Sequence, residues 1–238
     1  MSRPLRLLKP PLLHAAYRLL TRRHKLIVVA GMGRSGSTWL FNAVRLLHLQ
    51  RRQPVYGYWI GDFDIKRFVL SRPDNGIVLL KTHGFHPVIA RHAALVFYSI
   101  RDLRDLLASR KRMWNHDFET LMQSLAVELE ETAPAWEARA AYTMRYETMV
   151  EDPASVLEDL ALILGLSPQL IGEVQAHLEA LAYENPGAKT DSRHLENLLH
   201  ATHVTDGRPG SWPATLSPAE GARVVLRFGD WLARHHYS

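Results

Sequence analysis

The chain has 238 residues, of which 47% are hydrophobic and 22% are charged. This length is enough for one large domain with its own hydrophobic core, and the composition excludes a disordered, collagen-like or repeat protein. The sequence contains no cysteine, which excludes disulfides, thiolate metal ligands and cysteine nucleophiles and fits a reducing, cytoplasmic location.

The formal net charge of +5 is concentrated near the N-terminus. Residues 1–25 contain seven Lys or Arg and no Asp or Glu, whereas the rest of the chain is slightly acidic overall. We therefore predict a basic N-terminal arm at residues 1–24, a single domain at residues 25–238 and no nucleic-acid partner.

The N-terminal arm interleaves leucines with arginines and allows two interpretations. It could be a helix packed on the edge of the domain with its charges in solvent, or it could make peripheral contact with an anionic membrane surface. The sequence contains no apolar run near the roughly 20 residues needed to span a bilayer, and the arm shows no signal-peptide cleavage pattern.

Short apolar runs alternate with helix-period stretches along the chain, and this pattern is typical of a parallel sheet with crossover helices. The predicted strands are residues 25–30, 76–80, 94–100 and 141–146. The predicted helices are residues 37–47, 102–114, 117–139, 154–164, 169–181 and 218–235. Residues 185–216 are rich in Gly, Pro, Ser, Thr, Asp and His, and a loop of this length predicts a lid. We predict an α/β fold, a three-layer α/β/α sandwich with a central parallel sheet.

The first predicted strand runs directly into a glycine-rich turn and then into a helix, in the sequence KLIVVAGMGRSGSTWL at residues 25–40. Small residues in such a turn let successive backbone N–H groups face an anion, and the N-terminus of the following helix adds partial positive charge. The segment therefore predicts a site for a phosphate or a similar group.

One interpretation of the turn is a dinucleotide site. Gly31, Gly33 and Gly36 satisfy the spacing of the dinucleotide fingerprint, which needs an acidic residue about 20 positions later to hold the ribose. Arg51 and Arg52 occupy that region instead, and an arginine pair suits a 2′-phosphate. An NADP-dependent oxidoreductase therefore remains as an alternative.

A second interpretation is a nucleoside-triphosphate loop, in which Lys and then Ser or Thr should follow the last glycine. Ser37 and Thr38 follow Gly36, so the phosphate-binding lysine is missing. The strand at 94–100 leads to Arg101 where a magnesium-binding Asp would be expected. Both features disfavour a conventional ATPase or kinase, and an atypical kinase or nucleotide hydrolase that uses Arg34 instead remains open.

A third interpretation takes residues 34–39 as a unit, because Arg-Ser-Gly-Ser-Thr-Trp closely resembles the phosphosulfate loop of sulfotransferases that use 3′-phosphoadenosine 5′-phosphosulfate (PAPS). Cytosolic members usually carry Lys at position 34, and many carbohydrate sulfotransferases carry Arg. The resemblance implies a P-loop-NTPase-like sulfotransferase fold and a site that needs no metal. It implies that the phosphosulfate is held by Arg34, Ser35, Gly36, Ser37 and Thr38, with Trp39 stacked on the adenine.

Two further segments match the same family in order along the chain. Arg101 and Ser109 have the spacing of the pair that binds the 3′-phosphate of PAPS. Lys81 and His83 stand in a Lys-Thr-His segment that matches the one carrying the catalytic base in cytosolic members. The resemblance implies that His83 accepts the proton of the acceptor hydroxyl and that Lys81 offsets negative charge on the transferring group. Because some carbohydrate sulfotransferases use a carboxylate base, the alternatives are Asp62, Asp64 and Glu119.

The last two matches are weaker. Tyr146, in an Arg-Tyr-Glu segment, corresponds to a tyrosine that lies beside the adenine. Residues 206–212 resemble the C-terminal glycine-rich element, which implies that Gly207 and Arg208 contact the 3′-phosphate. Cytosolic members carry Arg-Lys before the first glycine, whereas this chain has Thr205 and Asp206 there.

These matches favour a sulfotransferase that moves sulfuryl from PAPS to a hydroxyl or amine of a carbohydrate, lipid or phenolic acceptor. A non-catalytic anion-binding protein that retains the loop is the alternative from another class. The acceptor pocket is predicted only as a set of aromatic or polar side chains beside the strand ends: Tyr56, Tyr58, Trp59, Phe63, Phe85, His86 and Trp114.

Overall fold

The computed structural model describes residues 10–71, 75–183, 197–199 and 207–237. Its central sheet has five parallel strands in the order β2-β3-β1-β4-β5. The strands are β1 (His24–Gly31), β2 (Val55–Trp59), β3 (Gly76–Thr82), β4 (Leu95–Ile100) and β5 (Tyr142–Arg145). Every residue of β1 except Lys25 is buried, as expected for a central parallel strand with helices on both faces.

Helices connect and cover the strands. In the described residues they are α1 (Pro10–Thr21), α2 (Ser37–Gln50), α3 (Ile65–Ser71), α4 (Pro87–His92), α5 (Leu103–Trp114), α6 (Phe118–Val127), α7 (Ala133–Glu137), α8 (Tyr146–Glu151), α9 (Pro153–Leu164), α10 (Ile171–Tyr183) and α11 (Pro218–Arg234). A π-helical turn at Glu128–Thr132 joins α6 to α7. Side-chain oxygens of Asp102, Asp117 and Asp152 accept backbone N–H groups at the starts of α5, α6 and α9, so capping residues fix where these helices begin.

The hydrophobic core forms two layers, one on each face of the sheet. Alternate residues of β1 belong to opposite layers, since Val28 packs with α1, α5 and α11 whereas Ile27 packs with α2, α9 and α10. This alternation follows from the two-residue period of a strand. The predicted three-layer α/β/α sandwich is confirmed.

The four predicted strands are confirmed, each within one or two residues of its predicted ends. Strand β2 was not predicted. Its sequence VYGYW is half-buried along its length and contains one aliphatic residue, so it lacks the apolar run that marked the other strands. The predicted helix at 117–139 is divided by the π-helical turn at Glu128–Thr132.

Helix α1 lies within the segment predicted as an N-terminal arm. Its side chains Tyr17 and Leu20 are 3% and 1% exposed, respectively, and belong to the core layer that covers one face of the sheet. Burial of one large apolar side chain stabilises a fold by about 1.5–3 kcal/mol. Residues 10–21 therefore contribute to the stability of the folded unit. No helix in the described residues is long and apolar enough to cross a membrane.

The parallel arrangement brings the carboxyl ends of all five strands to one edge of the sheet. β3 and β4 flank β1 on opposite sides, so the chain leaves β1 at a point where the strand order reverses. In open α/β sheets, ligands bind in the crevice at such a point. The predicted lid at residues 185–216 lies largely outside the described residues and stays a prediction.

Candidate active site

A cavity of about 570 Å³ opens at this edge of the sheet. Its lining comes from the glycine-rich turn after β1, the ends of β3 and β4, helices α2, α5, α6, α8 and α10, the π-helical turn, Leu199 and Gly207. The cavity therefore collects side chains from segments that are far apart in the sequence. Of the predicted site residues, Ser35, Ser109 and Arg208 do not line it.

Close packing and two left-handed residues shape the turn after β1. An added Cβ at Gly31 would lie 2.1 Å from the Ser99 hydroxyl oxygen, so only glycine fits there. Arg34 and Gly36 have φ angles of 80° and 82°, respectively, a region that costs glycine little and arginine considerably more. Helix α2 begins directly after Gly36, and its first residues, Ser37 and Thr38, whose backbone N–H groups have no partner within the helix, line the cavity.

Ser35 was predicted to hold the phosphosulfate, and its surroundings do not support that role. Its hydroxyl lies 2.6 Å from the Met32 carbonyl oxygen and 2.9 Å from the Ser99 carbonyl oxygen, and its N–H donates to the Met32 carbonyl. The side chain is fully buried. The hydroxyl and N–H of Ser35 are therefore used inside the turn, where they stabilise its conformation.

Two hydrogen bonds join the predicted elements to one another. Arg34 donates from Nε to the Ser109 hydroxyl oxygen at 3.0 Å, and Lys81 donates from Nζ to the Thr38 hydroxyl oxygen at 2.6 Å. Ser109 is thus close to the cavity's cationic side although it does not line the cavity itself. Burial, with a smaller contribution from Arg34, lowers the pKa of Lys81 to about 8. Burial and the charge of Arg101 lower the pKa of Arg34.

Arg101 is 3% exposed and its guanidinium lies 3.9 Å from the centre of the Tyr146 ring. Its Nη1 donates to the Arg34 carbonyl oxygen at 3.5 Å, and its Nη2 lies 3.8 Å from a carboxylate oxygen of Asp105. Within the described part of the chain, Nε and Nη2 of Arg101 are buried without a hydrogen-bond partner. A buried guanidinium with two unused donors suits an anionic ligand.

Gly207 lines the cavity and is held in place from two directions. Its carbonyl oxygen accepts a hydrogen bond from the Tyr146 hydroxyl at 2.6 Å. Just beyond it, the backbone N–H groups of Gly210 and Trp212 donate to the Asp105 carboxylate at 2.6 and 2.8 Å. Burial raises the pKa of Asp105, and these two hydrogen bonds oppose the increase. Arg208 is exposed and lies outside the cavity lining, so its predicted contact with a ligand is not supported.

His83 lines the cavity beside Lys81. Its Nδ1 lies 2.7 Å from the Gly31 carbonyl oxygen, and because a carbonyl only accepts, this contact assigns the proton of the neutral ring to Nδ1. Nε2 is then the free basic nitrogen. Burial and the charge of Lys81 lower the pKa of His83 to about 4, so the imidazole is neutral at pH 7 with Nε2 unprotonated, and the same shift makes it a weaker base than a free histidine.

The carboxylates considered as alternative bases lie elsewhere. Asp62 and Asp64 line a second cavity, and the exposed Glu119 forms a bidentate ion pair with Arg223. Among the described carboxylates, Glu128 alone lines the main cavity. Glu128 was not predicted from the sequence, because it stands in an acidic run whose pattern is typical of a solvent-exposed helix face.

Some of the predicted acceptor residues lie at the main cavity and others lie elsewhere. Trp114 lines the cavity, and the Trp59 ring centre lies 5.3 Å from that of His83, whereas Tyr58 and Phe63 line the second cavity. Tyr56 and Phe85 pack against the core, and His86 lies outside both linings. The lining residues that were not predicted include Met113, Ser124, Val127 and Thr132.

Fold and site together define an α/β protein that presents a glycine-rich anion-binding turn and a group of buried cations at the carboxyl edge of a parallel sheet. The model of the sulfotransferase domain family matches residues 24–234. The chain therefore belongs to the sulfotransferase family, and its general activity is the transfer of a sulfuryl group. This assignment takes precedence over the oxidoreductase and kinase interpretations of the turn.

Solved structures of sulfotransferases and a retinol dehydratase have the same fold. Mouse sulfotransferase SULT7A1 complexed with PAP has a TM-score of 0.66 at 12% identity, covering 91% of this chain and 89% of that chain. Retinol dehydratase with androsterone and the inactive cofactor PAP has a TM-score of 0.63 at 17% identity, covering 87% and 80%, respectively. Retinol dehydratase with retinol and PAP has a TM-score of 0.62 at 18% identity, covering 94% and 86%, respectively. A search of curated proteins found no match.

Proposed function

We propose that this sulfotransferase takes its sulfuryl group from PAPS and transfers it to a hydroxyl or amine of its acceptor. The observation that carries the proposal is the buried guanidinium of Arg101, which lines the cavity and whose Nε and Nη2 make no hydrogen bond within the described residues, Nη2 lying 3.8 Å from the Asp105 carboxylate. A sulfuryl-donor nucleotide with a second phosphate would supply hydrogen-bond acceptors for this guanidinium. The structures of similar fold were solved with PAP, the desulfated form of the same nucleotide.

Residues of the turn and of α2 are suited to the phosphosulfate end of the donor. The Arg34 guanidinium, the Ser37 and Thr38 hydroxyls and the first N–H groups of α2 line one part of the cavity. Charge-assisted hydrogen bonds from such groups neutralise a phosphosulfate without a metal.

The 3′-phosphate is assigned to Arg101 and Ser109. The Ser109 oxygen accepts from Arg34, and because the side chain is fully buried outside the cavity lining, its hydroxyl reaches a phosphate oxygen only when neighbouring side chains shift on binding. Trp39 and Tyr146 line the same part of the cavity, together with Gly207, and offer ring faces for the adenine.

The chemical step needs a base and charge stabilisation. PAPS supplies an electrophilic sulfuryl group with a good leaving group. His83 would accept the acceptor's proton at Nε2, since Nδ1 is committed to Gly31. Lys81, hydrogen-bonded to Thr38 at the start of α2, would stabilise the negative charge that develops on the leaving phosphate.

Calorimetry with PAP and with adenosine 5′-monophosphate tests the donor assignment directly. The two ligands differ by the 3′-phosphate, so we expect PAP to bind at least about 100-fold more tightly, as two charge-assisted hydrogen bonds would provide. Equal affinities would refute the roles given to Arg101 and Ser109.

The pH dependence of kcat/KM tests the role of Lys81. Because its pKa is lowered to about 8, the side chain is cationic below pH 8 and loses its charge above it. We expect kcat/KM to decline above about pH 8, and Lys81→Arg to move this decline upward by more than one pH unit, since arginine stays protonated. A decline at the same pH in both proteins would assign the titration to another group.

The acceptor end of the cavity is apolar. Trp114 and Val127 line it and remain 44% and 53% exposed, with Met113 beside them. Such surfaces suit an acceptor whose hydroxyl is carried on a ring or an apolar body. Labelled PAPS with a panel of glycans, lipids, phenols and peptides separates the predicted acceptor classes.

Peripheral membrane contact through the N-terminal arm also stays a proposal, and the cytoplasmic location suggested by the absence of cysteine stays a prediction. On α1, Leu12 and Leu19 are 58% and 51% exposed, and Arg18 and the following Arg22 and Arg23 are exposed as well. Apolar and basic side chains on one surface helix favour binding to anionic lipid.

Substitution tests this contact better than deletion, because α1 also carries core residues. We expect Leu12→Gln with Leu19→Gln to reduce sedimentation with phosphatidylserine-containing vesicles. Leu162→Gln, at an exposed leucine of α9, serves as the matched control. Equal sedimentation of all three proteins would dismiss the contact.

A further inference from the structure

Gly33 is held by a closed set of hydrogen bonds that involves two charged side chains. Its N–H donates to Oε1 of Glu128 at 3.3 Å, and its carbonyl oxygen accepts from Nε of Arg110 at 3.2 Å. Nη2 of Arg110 donates in turn to Oε2 of Glu128, which completes the ring. The two side chains are 3% and 15% exposed, so water competes little for these bonds.

Both oxygens of the Glu128 carboxylate accept a hydrogen bond in this arrangement, one from the Gly33 N–H and the other from Arg110. Glu128 also stands at the first position of the π-helical turn, a local feature that is frequent at functional sites. Its contacts therefore indicate a positioning role.

The residue that follows Gly33 is the one that needs positioning. Arg34 adopts a φ of 80°, which a residue with a Cβ keeps only when its surroundings impose it. On its far side, the Arg34 carbonyl accepts from Arg101 and its side chain donates to Ser109. On its near side, the constraint comes from the bonds that Arg110 and Glu128 make to Gly33.

We infer that Arg110 and Glu128 act as one positioning pair, which fixes Gly33 and thereby holds the strained Arg34, the residue proposed to bind the phosphosulfate, in its place in the cavity. This inference rests on the proposed function. Within the described residues, the side-chain hydrogen bonds of the pair go to Gly33 and between its two members, and it is Arg34 that contacts Arg101 and the Ser109 hydroxyl. Loss of the pair should therefore slow sulfuryl transfer much more than it weakens binding of the desulfated nucleotide.

The test uses the double variant Arg110→Met with Glu128→Leu, because removing both charges leaves no unpaired buried ion that would unfold the protein. We expect kcat to fall about 10- to 100-fold, the effect of losing one or two hydrogen bonds to charged groups, and the Kd for PAP to change less than about 5-fold. Glu128→Gln keeps an oxygen acceptor for Gly33, so its kcat should lie between those of the double variant and the unaltered protein. Arg223→Gln breaks the exposed ion pair with Glu119 and is the matched control, with unchanged kcat.

Two results would overturn the inference. One is turnover by the double variant at the rate of the unaltered protein. The other is a loss of PAP affinity in the same proportion as kcat, because that would make the pair a contributor to ground-state binding or to folding. Failure of the unaltered protein to bind PAP would instead count against the proposed function.

Discussion

Replacing His83 by Ala is expected to lower kcat by about 100- to 10,000-fold, the usual contribution of a well-placed general base. The imidazole is neutral at pH 7 because burial and Lys81 lower its pKa to about 4. The contact of Nδ1 with Gly31 leaves Nε2 as the proton acceptor. The Kd for PAP should change little, since His83 is not among the proposed nucleotide contacts.

His83→Asn separates orientation from basicity. Its amide can still donate to the Gly31 carbonyl but has no basic nitrogen, so we expect the same loss as for His83→Ala. His177→Ala, at an exposed histidine of α10, should leave the rate unchanged. Full activity in either His83 variant would contradict the assignment, and an absence of transfer in the unaltered protein would favour the non-catalytic alternative.

Replacing Arg101 by Met is expected to abolish the preference for PAP over adenosine 5′-monophosphate. Arg101 brings a buried charge to the proposed 3′-phosphate position, with two donor atoms that make no hydrogen bond among the described residues, and hydrogen bonds to charged groups contribute about 1.5–3 kcal/mol each. We expect PAP affinity to fall at least about 100-fold and the affinity for the monophosphate to change less than about 5-fold. Calorimetry on both ligands gives the ratio.

Two further variants define the limits of this prediction. Ser109→Ala removes one neutral donor, so its effect on PAP should be smaller, about 10-fold. Arg104→Met changes an arginine that pairs with Asp102 and should leave both affinities as they were. If Arg101→Met lowered the affinities for both ligands in the same proportion, Arg101 would not be the residue that recognises the 3′-phosphate.

Strong local signals explain which parts of the fold could be predicted. β1, β3 and β4 are buried apolar runs between polar ends, and the aspartates that start α5 and α6 precede clear helical patterns. β2 carried no such signal. It is a half-buried edge strand of Val, Tyr, Gly and Trp, and it shows neither a continuous apolar run nor a clear alternation of apolar and polar residues. The place of α1 in the core depends on contacts with distant segments, which no local pattern contains.

The site residues also differ in how far the sequence could predict them. Motif spacing grouped Arg34, Lys81, His83 and Arg101, and all four line one cavity because they stand at or just after the carboxyl ends of parallel strands. Motif membership could not reveal that Ser35 turns inward. Likewise, an acidic run gives no sign of which carboxylate reaches the glycine turn, and the role inferred for Glu128 needed the three-dimensional arrangement.

The group of Arg34, Lys81 and Arg101 also affects how a donor arrives. A cleft lined by one sign of charge concentrates oppositely charged molecules and raises association rates by about 10- to 1,000-fold. At physiological ionic strength this attraction reaches only about 8 Å, so dissolved salt weakens the encounter far more than it weakens contacts already made inside the cleft. For a nucleotide carrying phosphate at two positions, the collision rate would be the ionic-strength-sensitive step, and the lifetime of the complex would depend on salt much less.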